Sequence, residues 1–258
     1  MASDGVLVAE GVTKRFGGLA ALDGVGLAIA PGEVRGLIGP NGAGKTTLVN
    51  VLSGVLTPTS GSIRFAGHEM AGVPPHQVAR RGIRRTFQTL RLFPEMSGLG
   101  NVAVGYHTHT RAEVFDALFL TPRARHEETE TMAMAREALA FVGLEVDPEM
   151  PAGALAYGQQ RLLEVARALV ASPQLLLLDE PAAGMNSAEC DHLLALIRRL
   201  RQRGVTLLII EHRMDIIMEA CDRITVLNYG KNLAEGTPAE IQVHPAVIEA
   251  YLGQQHRA

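Results

Sequence analysis

Nine residues, GPNGAGKTT at 39–47, have the makings of a phosphate site. Gly39, Gly42 and Gly44 let the backbone turn tightly, so that successive N–H groups aim inward at phosphate oxygens. Lys45 adds a point charge for the outer phosphates, and Thr46 a hydroxyl suited to magnesium. The stretch matches GxxxxGK[ST], and its surroundings give the match weight: the apolar run VRGLI precedes it and a helix-forming run follows. The positive end of that helix adds to the pull on an anion. A second run, LLLLDEP at 175–181, ends an apolar segment of strand length in two carboxylates. Asp179 is suited to the magnesium shell, and Glu180, one residue on, can face an attacking water as general base. Such a pair could instead cap a turn. Beside a phosphate loop the catalytic reading is the stronger one.

The elements that must carry these residues can be traced coarsely. Up to about Gly67 the pattern is of short strands and turns: Val6–Ala9, Leu27–Ala30, a PGE turn at 31–33, Val34–Ile38, then Ser62–Ala66 after a TPTSG loop. From about Gln88 to Ser172 the pattern becomes helical, with Met132, Ala135, Leu139 and Val142 recurring at three- and four-residue steps. Strands and helices then alternate. Asn186 with Glu189 resembles a capping box, and the helix it opens ends in Arg198, Arg199, Arg201 and Arg203 before Gly204. The apolar runs on either side of that helix indicate parallel strands covered on both faces. Thr237-Pro238-Ala239-Glu240 is a strong helix start. The expectation is an α/β core interrupted by a helical insertion.

Composition narrows the function classes. The chain has 258 residues, 47% hydrophobic and 20% charged, an ordinary globular balance. A net charge of −3 argues against wholesale electrostatic binding of nucleic acid. Arg80, Arg81, Arg84, Arg85 and Arg91 do cluster, but with Phe87 the one aromatic among them there is no stacking series, so a solvated face or a contact to a membrane partner is the expected role. Cys190 and Cys221 lack CxxC spacing and are expected to be ordinary reduced residues. His107-x-His109 has no ligand spacing that would favour a metal. There is no signal-peptide pattern at the start and no membrane-spanning run, so the chain is expected to be soluble alone and held at a membrane only by a partner.

Taken in order, the motifs resemble those of the ATPase subunits of ABC transporters through nearly the whole chain. GPNGAGKTT is similar to the Walker A loop, RTFQ at 85–88 places Gln88 in the Q-loop, and LAYGQQR at 155–161 stands where the family signature stands. LLLLDE resembles Walker B, PAAGMN at 181–186 the D-loop, and IIEH places His212 as the switch histidine. VTKRFGG at 12–18 puts Phe16 where the family stacks an aromatic ring on adenine. The resemblance implies a P-loop ABC ATPase fold, with N-terminal antiparallel strands and an inserted helical subdomain. Its expected division is a core of 1–87 and 173–236, a helical signature subdomain of 88–172, and a helical tail of 237–258.

The same resemblance implies ATP and Mg2+ as cofactors. Phe16 and the loop Gly39, Pro40, Asn41, Gly42, Ala43, Gly44, Lys45, Thr46 and Thr47 would hold the nucleotide, with Thr46, Gln88 and Asp179 around the metal. Glu180, His212, Gln88 and Lys45 would be the catalytic set. Ala156, Tyr157, Gly158 and Gln159 would serve the ATP of an opposing protomer, a second copy or a paralogue. Gly158 permits close backbone approach there, while Ala156 replaces the family's commoner serine and removes a hydroxyl donor worth roughly 0.5–1.5 kcal/mol. Finer wording, including EGTPAEIQVHPAVIEAYLG near the end, resembles the longer ATPase subunit of branched-chain amino-acid importers. A urea or amide importer and a lipopolysaccharide exporter use similar wording; a soluble non-transport ABC protein and another P-loop enzyme fit less well. The implied partners are integral-membrane permeases and, indirectly, a solute-binding protein, with no nucleic acid, at the cytoplasmic face of the inner membrane. Leu90, Leu92 and Phe93 either pack the helical region or line a groove for the permease.

Overall fold

A computed structural model describes residues 5–107 and 121–255. Two sheets organise it. The first is antiparallel, in the order β2-β1-β4-β5, from β1 (Leu7–Phe16), β2 (Leu19–Ile29), β4 (Ser60–Phe65) and β5 (His68–Glu69). The second, in the order β10-β9-β3-β8-β7-β6, joins β3 (Val34–Ile38), β6 (Ile83–Arg85), β7 (Leu175–Asp179), β8 (Thr206–Ile210), β9 (Arg223–Asn228) and β10 (Lys231–Gly236). All its neighbours pair in parallel except β9 and β10.

Sequence alternation explains why this second sheet is covered on both faces. In β7, Leu176 and Leu178 enter one buried cluster while Leu175 and Leu177 enter the other; in β8, Leu207 and Ile209 part in the same way from Leu208 and Ile210. The side packed by the antiparallel sheet also receives α1 (Lys45–Leu52), whose Leu48, Val49, Val51 and Leu52 are buried. The opposite cluster runs without a break into α3 (Gly98–Tyr106), α4 (Pro122–Val142) and α5 (Tyr157–Leu169), and takes in α6 (Ser187–Gln202) and α7 (Met214–Ala220). Between β5 and β6 lies α2 (Pro75–Arg80), and the chain closes with α8 (Pro238–Gln242) and α9 (Pro245–Gln255).

Several local expectations are met. Ala135, Leu139 and Val142 form the buried stripe of α4. The Asn186 side chain accepts the Glu189 N–H at 3.0 Å, and the Glu189 carboxylate accepts the Asn186 N–H at 2.9 Å. Thr237 and Glu240 cap α8 reciprocally. The first two strands, by contrast, run well beyond the expected Val6–Ala9 and Leu27–Ala30. Bulges between Ala9 and Lys14, with Gly11 at φ 61°, shift the alternation, so a strict two-residue period is lost where the strand continues. Two arginines hide β6 from the apolar pattern, since IRR carries almost no such signal.

Candidate nucleotide site

The phosphate loop leaves β3 and enters α1 through backbone that only glycine tolerates. Gly39 has φ 149°, and a Cβ there would stand 2.2 Å from the Leu227 carbonyl oxygen. Gly44, the residue before α1, has φ 102° and would place a Cβ 2.7 Å from the Ala21 oxygen. Backbone carbonyls cannot move aside cheaply, so these positions are set by close approach as well as by conformation. Lys45 Nζ folds over its own loop and donates to Gly39 O at 2.6 Å and Pro40 O at 3.0 Å. Burial lowers its pKa, against the pull of Glu180 and Asp179, which raise it. Thr46 is exposed, and so is Phe16 at the end of β1, where Lys14 Nζ stands 5.2 Å from its ring centroid. A tie unforeseen from the sequence comes from α9, where the Gly39 N–H interacts with the Tyr251 hydroxyl; burial nonetheless pushes the Tyr251 pKa up.

Opposite the loop, β7 ends at Asp179, and Glu180 follows at φ 50°, a left-handed conformation rare for a side chain of this type. Its N–H is held by Ile210 O at 2.8 Å. Strain of this kind costs on the order of 1–3 kcal/mol and gathers at functional sites. Gln88 Nε2 donates to Glu180 Oε2 at 2.9 Å, and His212 Nδ1 stands 3.8 Å from the same oxygen. Three residues from three distant segments therefore meet at one carboxylate. Asp179 is nearly fully buried and makes a 2.7 Å ion pair with Arg85 Nη2.

Arg85 corrects the reading of the arginine cluster. Its guanidinium is buried between Asp179 and α1, donating also to Asn50 Oδ1 at 2.6 Å and Ser53 Oγ at 3.2 Å, so this member belongs to no solvated face. No local signal marks it, because β6, whose end it occupies, has no apolar pattern of its own. Glu211 was likewise overlooked beside His212. Its buried carboxylate accepts the N–H groups of Ala182 at 2.8 Å, His212 at 3.0 Å and Arg213 at 3.2 Å, binding the turn after Glu180 to the segment that carries His212. Both cysteines are buried with raised pKa, Cys221 being pushed up to about 12 by burial and the neighbouring Asp222. They are thiols at neutral pH, as expected of structural residues.

The signature stretch opens α5. Ala156 is the N-cap, and Gln159 Oε1 accepts its N–H at 3.0 Å, but Ala156 has no side-chain oxygen to return the bond. A Cβ on Gly158 would lie 2.2 Å from the Glu189 carboxylate of α6. Tyr157 is 44% exposed. Side-chain hydrogen bonds of this stretch run to Leu155, Ala156, Phe87 and Gln88, away from the phosphate loop, so the chain presents two separate candidate phosphate-facing surfaces. Of the apolar run after Gln88, Leu92 packs on the core whereas Phe93 is 49% exposed. His107 ends α3, and His109 lies outside the described residues. Among the described residues no cluster of three His, Cys, Asp or Glu could hold a metal, and no helix is long and apolar enough to cross a membrane.

Comparison with known proteins agrees with this geometry. Residues 22–183 match the family model described as ABC transporter, and residues 231–257 match one described as branched-chain amino acid ATP-binding cassette transporter. The chain is 48% identical over 250 residues to the high-affinity branched-chain amino acid transport ATP-binding protein BraF of Pseudomonas aeruginosa, covering 96% of this chain and 98% of the relative. It is 45% identical over 253 residues to LivG of Escherichia coli, the protein of the same description, covering 98% and 99%. Among solved structures, a nucleotide-free ATP-binding cassette from an ABC transporter superposes with TM-score 0.84 at 33% identity, covering 95% of this chain and 98% of that one. A dimeric post-hydrolysis cassette, MJ0796 bound to ADP and Pi, superposes with TM-score 0.76 at 25% identity, covering 90% and 98%.

Proposed function

Because the chain belongs to the ABC transporter ATP-binding family and carries its ATPase domain, we propose that it is the ATP-hydrolysing motor of an importer for branched-chain amino acids. Near-full-length identity of 45–48% to BraF and LivG carries the solute class. The match of residues 231–257 to a branched-chain model favours that class over urea, amide or lipopolysaccharide transport.

In this reading Phe16 stacks on adenine and the loop 39–47 wraps the phosphates, with Lys45 exchanging its two carbonyl partners for phosphate oxygens. The donors Thr46, Gln88 and Asp179 are all hard oxygens, the chemistry Mg2+ prefers, and would hold it with waters completing its shell. Bound Mg2+ would neutralise charge on the outer phosphates. Glu180 takes the proton from the attacking water, and its strained backbone and the Gln88 contact fix where that carboxylate points. His212 stands close enough to the same oxygen to help orient the water and sense the outer phosphate. Most of the rate then comes from positioning and preorganised charge.

Ala156, Tyr157, Gly158 and Gln159 face the ATP held by a second cassette, so two protomers, identical or paralogous, share each nucleotide. The helical region after Gln88 would meet the permeases, with Phe93 exposed for their contact, and the assembly would sit at the cytoplasmic face of the membrane and serve a solute-binding protein. Glu180→Gln tests the chemistry: phosphate release should fall at least about a hundredfold while ATP still binds. Phosphate release near the unaltered rate would overturn the assignment. Uptake of labelled leucine, isoleucine and valine in cells lacking the chain tests the solute; unchanged uptake would exclude it.

A further inference from the structure

Tyr157, the first residue of α5, is bound on both sides in a way that its role at a dimer surface does not require. Its ring packs on Gly184, where an added Cβ would stand 2.8 Å away, and part of it remains exposed. Its hydroxyl accepts from Arg161 Nη2 at 2.8 Å. The Arg161 guanidinium is buried, and the same Nη2 donates to Gln88 O while Nη1 donates to Phe87 O at 2.8 Å. Glu164, one turn on, accepts the Phe87 N–H at 3.3 Å and balances the arginine at 3.5 Å. The backbone at 87–88 is therefore held from α5 through both its N–H and its carbonyls. Gln88 in turn reaches Glu180 through its side chain at 2.9 Å.

These contacts form an unbroken line from the exposed edge of the signature to the catalytic carboxylate of the same chain. Because Arg161 Nη1 and Nη2 hold the Phe87 and Gln88 carbonyls directly, a shift of the guanidinium would carry the Phe87–Gln88 backbone with it. We propose that Tyr157 and Arg161 are positioning residues that transmit engagement of the opposing ATP, at the signature, to the Gln88–Glu180 pair of their own chain. The proposal rests on the two-cassette reading above. It assigns a purpose to an aromatic hydroxyl at the signature that ATP contact by backbone N–H groups leaves unexplained.

Tyr157→Phe removes the hydroxyl and keeps the ring on Gly184, so the full-length chain should melt at nearly the unaltered temperature. Its kcat should fall about fivefold with KM for ATP changed less than about twofold, and in a Gln88→Ala background the same substitution should change kcat less than about twofold. An equal factor in both backgrounds would overturn the relay. A second readout needs no turnover. On adding ATP to Glu180→Gln chain, amides of residues 86–92 should gain hydrogen-exchange protection, and Tyr157→Phe in that chain should abolish the gain although the chains still associate. Equal protection with and without the hydroxyl would also overturn it. If the unaltered chain neither hydrolyses ATP nor, as Glu180→Gln, associates on binding it, the motor reading itself fails.

Discussion

The phosphate loop and the start of α5 both lead into a helix through glycine, yet one is finished within the chain and the other is not. Around the loop every constraint is internal. Backbone oxygens of Leu227 and Ala21 crowd Gly39 and Gly44, and Lys45 is held by two loop carbonyls. At α5 the N-cap offers no side-chain acceptor, Tyr157 is partly exposed, and Gly158 is crowded only by the movable end of Glu189. On the proposed two-cassette reading, a surface left half-built on a well-packed element is one side of a shared site, and the difference marks where the second cassette would contribute.

Substitutions can widen or erase that contrast. Gly39→Ala puts a carbon against a fixed backbone oxygen and should cost about 4 kcal/mol or more, read as loss of folding or a collapsed urea midpoint. Arg85→Met leaves Asp179 buried without its cation and should cost about 3–5 kcal/mol, with ATP binding weakened in proportion. Gly158→Ala meets a side chain that can shift at the expense of the Asn186 cap, so about 1–2 kcal/mol is expected, with nucleotide binding at the loop intact. A cost equal to that of Gly39→Ala would erase the distinction between the two helix starts. Ala156→Ser should go the other way. Serine at this N-cap can accept the Gln159 N–H and complete the box, adding about 0.5–1 kcal/mol of stability, with turnover tolerated or modestly raised.

The smallest effect concerns Glu164 on α5. Burial raises its carboxyl pKa, against the Phe87 N–H, Arg161 and Arg167, which lower it. A folded pKa above the unfolded one means stability that is present at low pH and lost as pH rises through the folded value. Urea midpoints measured upward from the ordinary carboxylate range should therefore fall more steeply in the unaltered chain than in Glu164→Gln. Parallel curves would contradict it.

How much of this was legible in the sequence depended on whether the signal was local. The loop at 39–47, β7 and β8, and the caps at Asn186 and Thr237 depend on neighbouring residues, and the pattern placed them well. Gln88 and His212 were found through motif order, not through any property of their own surroundings. Arg85 and Glu211 escaped because their roles arise only when strand ends come together: nothing in RRTFQ states that one arginine turns inward to Asp179. Tyr251 was out of reach for the same reason, being some two hundred residues from Gly39 in the chain and adjacent in the fold. The bulges of β1 defeated alternation, the one cue available there.

The most direct test of the shared site is the mass of the Glu180→Gln chain in solution with ATP, alone or with a paralogous cassette, with and without Gly158→Asp. An intact signature should give an ATP-dependent dimer. With Gly158→Asp the chain should remain a monomer that still binds ATP at its own phosphate loop. A dimer that survives Gly158→Asp, or a monomer that has lost ATP, would contradict a nucleotide held between two chains.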